Sequence, residues 1–187
     1  MCEINWDITI KAATLIVVTI GGIVGIVQYL KSQKWKKAEF LAQKHKEFAE
    51  NLYVQKAMRM LDGFAMYLPV DKNEYGGVHE YIDFKPPLLT TALTPITDEN
   101  LRPKDQIHIR LCIDKFLFRF GNFQNYLDNK IVNQKQVENM LGYWIKAIGD
   151  KSDKIISPHT KALLHNYIKE YNYNSAKKLL ATFKYNI

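Results

Sequence analysis

Histidines, carboxylates and cysteines are the side chains that could catalyse a reaction or hold a metal ion. A zinc-binding helix needs two histidines four residues apart with an adjacent glutamate, and none of the five histidines stands in that pattern. His45 lies on an apolar stripe, which indicates packing, and Cys112 has no evident base partner. Carboxylate pairs such as Asp98-Glu99 fit turns or helix starts. The sequence therefore predicts no enzymatic activity, with no catalytic, cofactor-binding or metal-binding residues and no small-molecule substrate.

The C-terminal segment combines lysines and aromatic residues in a pattern that could bind anions. The lysines are Lys161, Lys169, Lys177, Lys178 and Lys184, and the aromatic residues between them are Tyr167, Tyr171, Tyr173, Phe183 and Tyr185. Proteins that bind single-stranded nucleic acid use lysines for the phosphates and aromatic rings for the bases. The same lysines could contact anionic lipid headgroups. A solvated lysine surface over an aromatic core gives the same pattern, and this interpretation is favoured over nucleic-acid binding.

Composition narrows the class of protein. The chain has 187 residues, 47% of them hydrophobic, which is enough for a packed core and argues against disorder. Two cysteines are too few for a disulfide framework, which indicates a reducing compartment. The formal net charge of +7 favours partners with an acidic surface, such as anionic lipid or nucleic acid.

The longest apolar segment runs from Ile8 to Leu30 and carries one charge, Lys11. As a helix, the 23 residues from 8 to 30 span about 34 Å, slightly more than the roughly 30 Å hydrocarbon core of a bilayer. A soluble helix of this length would show a polar face. No lysine or arginine precedes the segment and no small-residue cleavage site follows it, which argues against a signal peptide. We therefore predict a retained transmembrane helix over residues 8–30.

The flanks of this helix differ in charge. Lysines cluster on the carboxyl side, whereas the amino side carries Glu3 and Asp7. The positive-inside rule then places the short N-terminus, residues 1–7, outside and residues 31–187 in the cytoplasm, as a single-pass protein of the inner membrane. The predicted anchors at the membrane interface are Trp6, Tyr29, Lys31, Lys34, Trp35, Lys36 and Lys37. Membrane lipid is therefore an expected partner.

Glycines within the apolar segment bear on self-association. Gly21 and Gly25 have the Gly-x-x-x-Gly spacing, and Gly22 stands beside them. Small residues on one face let two membrane helices approach closely, which would support a homo-oligomer. Glycine is also simply frequent in membrane helices, and this interpretation is favoured over self-association.

The part that follows the apolar segment is predicted to be helical, because apolar residues recur there at spacings of three and four. Asn51, Asn133, Ser157 and Asn174 are the expected N-caps, with Asn51 splitting the first helical stretch. About five helices are expected, over residues 31–62, 104–129, 133–148, 157–171 and 174–183.

Residues 67–103 have a different composition. They hold five of the six prolines, and we expect a long irregular excursion with a short helical piece around residues 88–93. Such a loop either has a role in binding or merely covers the bundle. No strands are predicted. The expected fold class is therefore all-α, with one N-terminal transmembrane helix followed by a cytoplasmic all-helical domain, which disfavours α/β enzyme folds.

Three short motifs carry a resemblance. They are Trp35-Lys36-Lys37-Ala38-Glu39-Phe40, Met60-Leu61-Asp62 and Tyr143-Trp144-Ile145. In these the chain resembles a family of small bacterial proteins with an N-terminal span, a Trp-Lys-Arg-x-Glu-Phe motif, a Met-Leu-Asp helix end and a C-terminal helical domain. The resemblance implies a bacterial origin and this topology. It supplies no catalytic residues, because no activity is assigned to the family.

The functional hypothesis that fits these features is a membrane-anchored, non-enzymatic interaction protein. It would be an accessory or effector subunit of a bacterial membrane-associated system, with antiviral defence as one setting, and another protein subunit as its partner. One alternative is an effector that oligomerises through Gly21, Gly22 and Gly25 and disrupts the membrane. The other is a membrane-tethered nucleic-acid binder that uses the C-terminal lysines.

Overall fold

The computed structural model describes residues 6–70, 81–96 and 102–187, with the backbone alone at 6, 8, 9, 12 and 13. The chain forms two compact units, Met1–Gln43 and Lys44–Ile187. The elements within the described residues are α1 (Trp6–Ala49), α2 (Leu52–Leu61), β1 (Met66–Pro69), β2 (Tyr81–Phe84), α3 (Pro86–Leu93), α4 (Lys104–Asp128), α5 (Gln134–Gly149), α6 (Pro158–Glu170) and α7 (Asn174–Thr182). The prediction of a mostly helical fold is confirmed.

In the first unit, the apolar stretch of α1 is not buried by any of the described residues. Every side chain from Thr14 to Leu30 is exposed. The hydroxyls of Thr14 and Thr19 each donate to the backbone carbonyl four residues earlier, at 2.8 Å, so the helix satisfies them internally. Among the described residues, α1 is the one helix that is long and apolar enough to cross a membrane, with a mean hydropathy of 1.7 over its best window and none of that window buried.

In the second unit, α4 carries the centre of the hydrophobic core. Phe116, Phe120 and Phe123 are buried along one of its faces. The ring of Phe48 lies 5.8 Å from that of Phe116 and 5.7 Å from that of Phe123, and the ring of Trp144 in α5 lies 5.7 Å from that of Phe116. The apolar stripe that predicted a central helix over residues 104–129 therefore corresponds to α4.

The helix starts follow local capping chemistry in three of four predicted places. Asn51 accepts from the Val54 N–H, Asn133 forms a capping box with Gln136, and Ser157 accepts from the Thr160 N–H ahead of a first-turn proline. The prediction that Asn174 caps the last helix is wrong. The cap position is Tyr173, which makes no side-chain capping bond, and Asn174 is already the first helical residue.

The prediction of an irregular segment without strands is also wrong in part. Within residues 67–103, the described residues include most of an antiparallel hairpin, in which Leu68 pairs with Ile82 and Pro69 with Tyr81. Leu68, Ile82 and Phe84 are buried on its inner face. Both strands are edges, where a proline is tolerated. The expected short helix is present as α3, with Pro86 in its first turn. Residues 71–80 and 97–101 lie outside the described residues.

At Gly121, α4 and α7 approach each other closely. A Cβ built there would lie 2.8 Å from the Ala176 backbone nitrogen and 3.0 Å from the Ser175 Cβ. At Gly142, in the middle of α5, the nearest atom to such a Cβ is the Glu138 Cγ at 3.8 Å. The two glycines are therefore matched for a test of packing, because both lie within helices and only Gly121 is crowded by a neighbouring helix.

We expect Gly121→Ala to lower the free energy of unfolding, because overpacking costs about 1–3 kcal/mol and exceeds the roughly 1 kcal/mol that alanine adds to a helix. Gly142→Ala gains the higher helix propensity of alanine without overpacking, so it should leave the free energy of unfolding unchanged or raise it. Thermal unfolding of both full-length variants in detergent micelles checks this. Equal gains in the two variants would contradict the close packing of α4 on α7.

Candidate functional site

A cleft of about 340 Å³ lies between α4 and α6. We call it the Arg110 cleft; its lining residues are Arg102, Ile107, Arg110, Leu111, Asp114, Tyr167 and Tyr171. Four of these side chains come from α4, where spacings of three and four place residues on one face of the helix. The two tyrosines come from α6 and its C-cap in the same way. Ile107 is 49% exposed and Tyr171 is 39% exposed, so the cleft is open to solvent.

Arg110 lies against two aromatic rings that are themselves in contact, with 4.5 Å between their centroids. Its guanidinium carbon lies 4.9 Å from the ring centroid of Tyr167 and 4.6 Å from that of Tyr171, and its Nε donates to the Tyr167 hydroxyl at 3.3 Å. Burial lowers its pKa, but the interactions with Tyr171 and Tyr167 outweigh burial and raise the pKa above its usual range. The cleft therefore contains a fixed positive charge in a partly apolar setting.

Asp114 joins this arrangement to the start of α7. Its Oδ1 accepts two hydrogen bonds at 2.6 Å, one from the Tyr167 hydroxyl and one from the Tyr173 hydroxyl. Burial, reinforced by the Asp114 carboxylate, raises the pKa of both tyrosines well above the ordinary value. The resulting tyrosine network runs from Arg110 through Tyr167 to Asp114 and back to Tyr173, and it fixes the orientation of each member.

Arg102 contributes charge to the edge of the cleft and also supports the fold. The side chain is 4% exposed. Its guanidinium donates to the Ala92 and Thr94 carbonyls, both at 3.0 Å, which are at the carboxyl end of α3. A cation is favoured at that end by the helix dipole. Arg102 thus ties α3 to the start of α4 beside the cleft.

The chemistry that this arrangement suits is recognition of an anionic group next to an apolar one. Arg102 and Arg110 supply positive charge, Ile107 and Leu111 supply apolar surface, and Tyr171 adds an aromatic ring. Across the described ranges, no group of three or more His, Cys, Asp or Glu side chains is arranged to hold a metal ion.

The residues predicted to anchor a membrane helix lie on α1. Tyr29 and Trp35 are 63% and 77% exposed, and the four flanking lysines are exposed as well: Lys31, Lys34, Lys36 and Lys37. Trp6 begins the helix, and its side chain lies outside the described residues. At Gly21, Gly22 and Gly25, a built Cβ would meet no atom within 4 Å.

The lysines predicted to form one anionic-partner surface do not all lie at the surface. Lys169, Lys177, Lys178 and Lys184 are exposed, and Lys178 pairs with Asp128 at 2.8 Å. Lys161 does not belong with them, because it is 3% exposed.

The buried Lys161 has a structural role. Its ammonium group donates to the carbonyls of Asp150 and Asp153, at 2.5 and 2.7 Å, and so holds the loop before α6. Burial lowers its pKa, opposed by the nearby Asp153 and Asp150 carboxylates. Spacing alone could not reveal this, because the loop carbonyls that receive the ammonium group have no sequence signature.

Sequence reasoning missed the Arg110 cleft. The signal that could have revealed it is the pair Arg110 and Asp114, which stand four residues apart among the apolar residues of α4. Tyr167 and Tyr173 are among the aromatic residues that the sequence pattern offers for base stacking, yet their hydroxyls are bonded to Asp114. Their place in the tyrosine network fits the aromatic-core interpretation better.

Two of the motifs that carried a family resemblance meet in the fold. Met60 and Leu61 are buried at the end of α2, and Asp62 accepts a hydrogen bond from the Tyr143 hydroxyl at 2.5 Å. Comparisons of the chain with protein-family models, curated proteins and solved structures give no match. The family resemblance therefore stays a prediction.

The tyrosine network predicts an order of stabilities. Tyr167→Phe removes a hydroxyl that serves both Arg110 and Asp114 and should cost about 2 kcal/mol of unfolding free energy, whereas Tyr173→Phe removes one bond and should cost about 1 kcal/mol. Tyr67→Phe, at a position that is 70% exposed, is the control and should change little. Urea unfolding of the full-length protein in micelles gives the values. Equal values for all three would argue against the network.

Proposed function

We propose that the protein is a membrane-anchored interaction protein without enzymatic activity, an accessory or effector subunit of a bacterial membrane-associated system, for which antiviral defence is one setting. The observation that carries the proposal is the wholly exposed apolar stretch of α1. Leaving a large aliphatic side chain in water rather than burying it costs about 1.5–3 kcal/mol, and α1 exposes many of them in sequence. A lipid bilayer removes that cost, with residues 8–30 as the span.

The charge on either side of the span supports one orientation. Lys31, Lys34, Lys36 and Lys37 follow the apolar stretch directly, and such residues are retained on the cytoplasmic side. In this arrangement the N-terminus is outside, the second unit is in the cytoplasm, and the protein is a single-pass inner-membrane protein. Tyr29 and Trp35 are exposed where the headgroup region would lie.

The second unit supports the interaction role. The Arg110 cleft offers a fixed guanidinium charge beside exposed apolar and aromatic surface. Arginine and tyrosine are enriched among the residues that dominate protein–protein binding energy, and both are rigidly held here. The proposed partner is therefore another protein subunit of the same membrane system.

Cysteine labelling tests the membrane topology, because the two native cysteines are well placed for it. Cys112 is 0% exposed and should stay silent. In spheroplasts, a membrane-impermeant maleimide should label Cys2, and Cys2→Ser should abolish the signal. In the Cys2→Ser background, Lys177→Cys should react only after the membrane is permeabilised. Recovery of the protein in the soluble fraction, or the reverse labelling pattern, would contradict the proposal.

A second candidate function is an oligomerising effector that disrupts the membrane. The open surface at Gly21 and Gly25, where a built Cβ meets nothing, favours it because another helix could pack there. On overexpression, this function requires dye uptake by cells. Gly21→Ile with Gly25→Ile should abolish the uptake, whereas Ile23→Ala, on the opposite face of the helix, should preserve it. Overexpression without dye uptake would exclude this candidate.

A further inference from the structure

A second depression, of about 200 Å³, lies between α4 and the turn that joins α6 to α7. We call it the amide pocket; the side chains that matter in its lining are Phe118, Asn122, Asn125, Asn172, Asn174 and Ser175. The turn is well defined: Asn172 has a φ of 55°, and the Tyr173 N–H donates to the Ile168 carbonyl at 3.0 Å. The pocket is therefore built by three fixed elements of the second unit.

The asparagine side chains of the amide pocket are not used by the fold. Within the part of the chain that the structure describes, none of the four asparagine carboxamides takes part in a hydrogen bond. A carboxamide presents a donor and an acceptor in one plane, as a peptide group does. Four of them around one depression match the hydrogen-bonding groups of an extended peptide backbone.

Both depressions lie along one face of α4. The residues that define this face recur at spacings of three and four: Ile107, Leu111, Asp114, Phe118, Asn122 and Asn125. Phe118, between the two depressions, is 63% exposed. The hydrogen bond from Tyr173, which lines the amide pocket, to Asp114, which lines the Arg110 cleft, ties the two together at 2.6 Å.

The spacing of the two depressions sets the length of a ligand that could occupy both. Leu111 in the cleft and Asn122 in the pocket are separated by about 16 Å along the axis of α4. An extended chain covers that distance in about five residues.

We propose that this face of α4 binds an extended, acidic peptide segment of a partner protein. A carboxylate of the segment pairs with the positive charge of the Arg110 cleft. About three residues away, a large apolar side chain packs on Phe118. About five residues from the carboxylate, the asparagine side chains form hydrogen bonds with the peptide backbone. The inference rests on the proposed role as an interaction protein and names its docking site.

The charge of the lining residues favours a carboxylate as the group that binds in the Arg110 cleft. Arg102 and Arg110 are the cations in the lining of the two depressions, and Asp114 is the anion. The two arginines outnumber the one carboxylate, so the lining has a net positive charge that favours an anionic group. Proteins that bind single-stranded nucleic acid track the backbone with a positively charged groove, whereas the amide pocket is lined by neutral groups. A peptide therefore fits better than an oligonucleotide.

Peptide selection tests the proposal on the full-length protein in lipid nanodiscs. The test uses a phage-displayed library of random peptides about twelve residues long. Peptides of this length can reach both depressions wherever the acidic and apolar residues stand in the sequence. The selected peptides should share an Asp or Glu and a Leu, Phe or Trp about three positions apart. A synthetic peptide from the selection should bind about tenfold more weakly when its acidic residue is changed to the amide.

Variants of the protein then locate the binding. Phe118→Ala and Asn122→Asp should each weaken the synthetic peptide about tenfold, the first by loss of apolar contact and the second by charge repulsion. Leu52→Ala is the matched control, because Leu52 is a large apolar residue that is 54% exposed on α2. Its affinity for the peptide should equal that of the unaltered protein.

Several outcomes would overturn the inference. These are a selection that yields no binder, binders without the acidic and apolar spacing, or affinities that Phe118→Ala leaves unchanged. Tight binding of a single-stranded oligonucleotide or of anionic vesicles that is lost in Phe118→Ala would also overturn it. Since peptide affinity is measured on purified protein, its failure leaves the cysteine labelling result intact, and failure of the membrane topology leaves the peptide result intact.

Discussion

The burial of one aromatic face of α4 is the constraint on which the second unit depends. The rings of Phe116 and Phe123 contact that of Phe48 in α1, and Phe116 also contacts the Trp144 ring of α5. Gly121 lets α7 approach the same helix closely. A helix of 25 residues that is fixed on these sides has little rotational freedom. The remaining face, with Ile107 and Phe118, is then left at the surface, where both candidate binding depressions lie.

The tyrosine network turns that packing into a defined surface. Arg110 and Asp114 are one helical turn apart on α4, and each is joined to Tyr167 of α6 by a hydrogen bond. Tyr173 brings the start of α7 to the same carboxylate. Polar groups in a partly buried position are costly unless they are paired, so a satisfied network also selects one arrangement of the three helices.

What the sequence could predict was local. Most helix bounds could be predicted from capping residues, such as Asn133 with Gln136, and from apolar stripes, such as that of α4. Both signals depend only on residues a few positions apart. The hairpin could not be predicted because its strands are short and the prolines around them obscure the alternation of buried and exposed residues. Lys161 was wrongly predicted to lie at the surface, because its partners are backbone carbonyls, which have no sequence signature. The Arg110 cleft combines residues 57 positions apart, such as Arg110 and Tyr167, and no local pattern encodes such a contact.

Arg110, Tyr167 and Tyr173 keep their protons near neutral pH. A general acid or base works best when its pKa lies near the working pH. Here the environment moves the pKa values away from neutral pH, because it raises those of Arg110, Tyr167 and Tyr173, which already lie above neutrality. These groups therefore keep one charge state and one set of hydrogen bonds across the physiological range. The charge and the hydrogen bonds that this surface presents therefore do not vary with pH in that range.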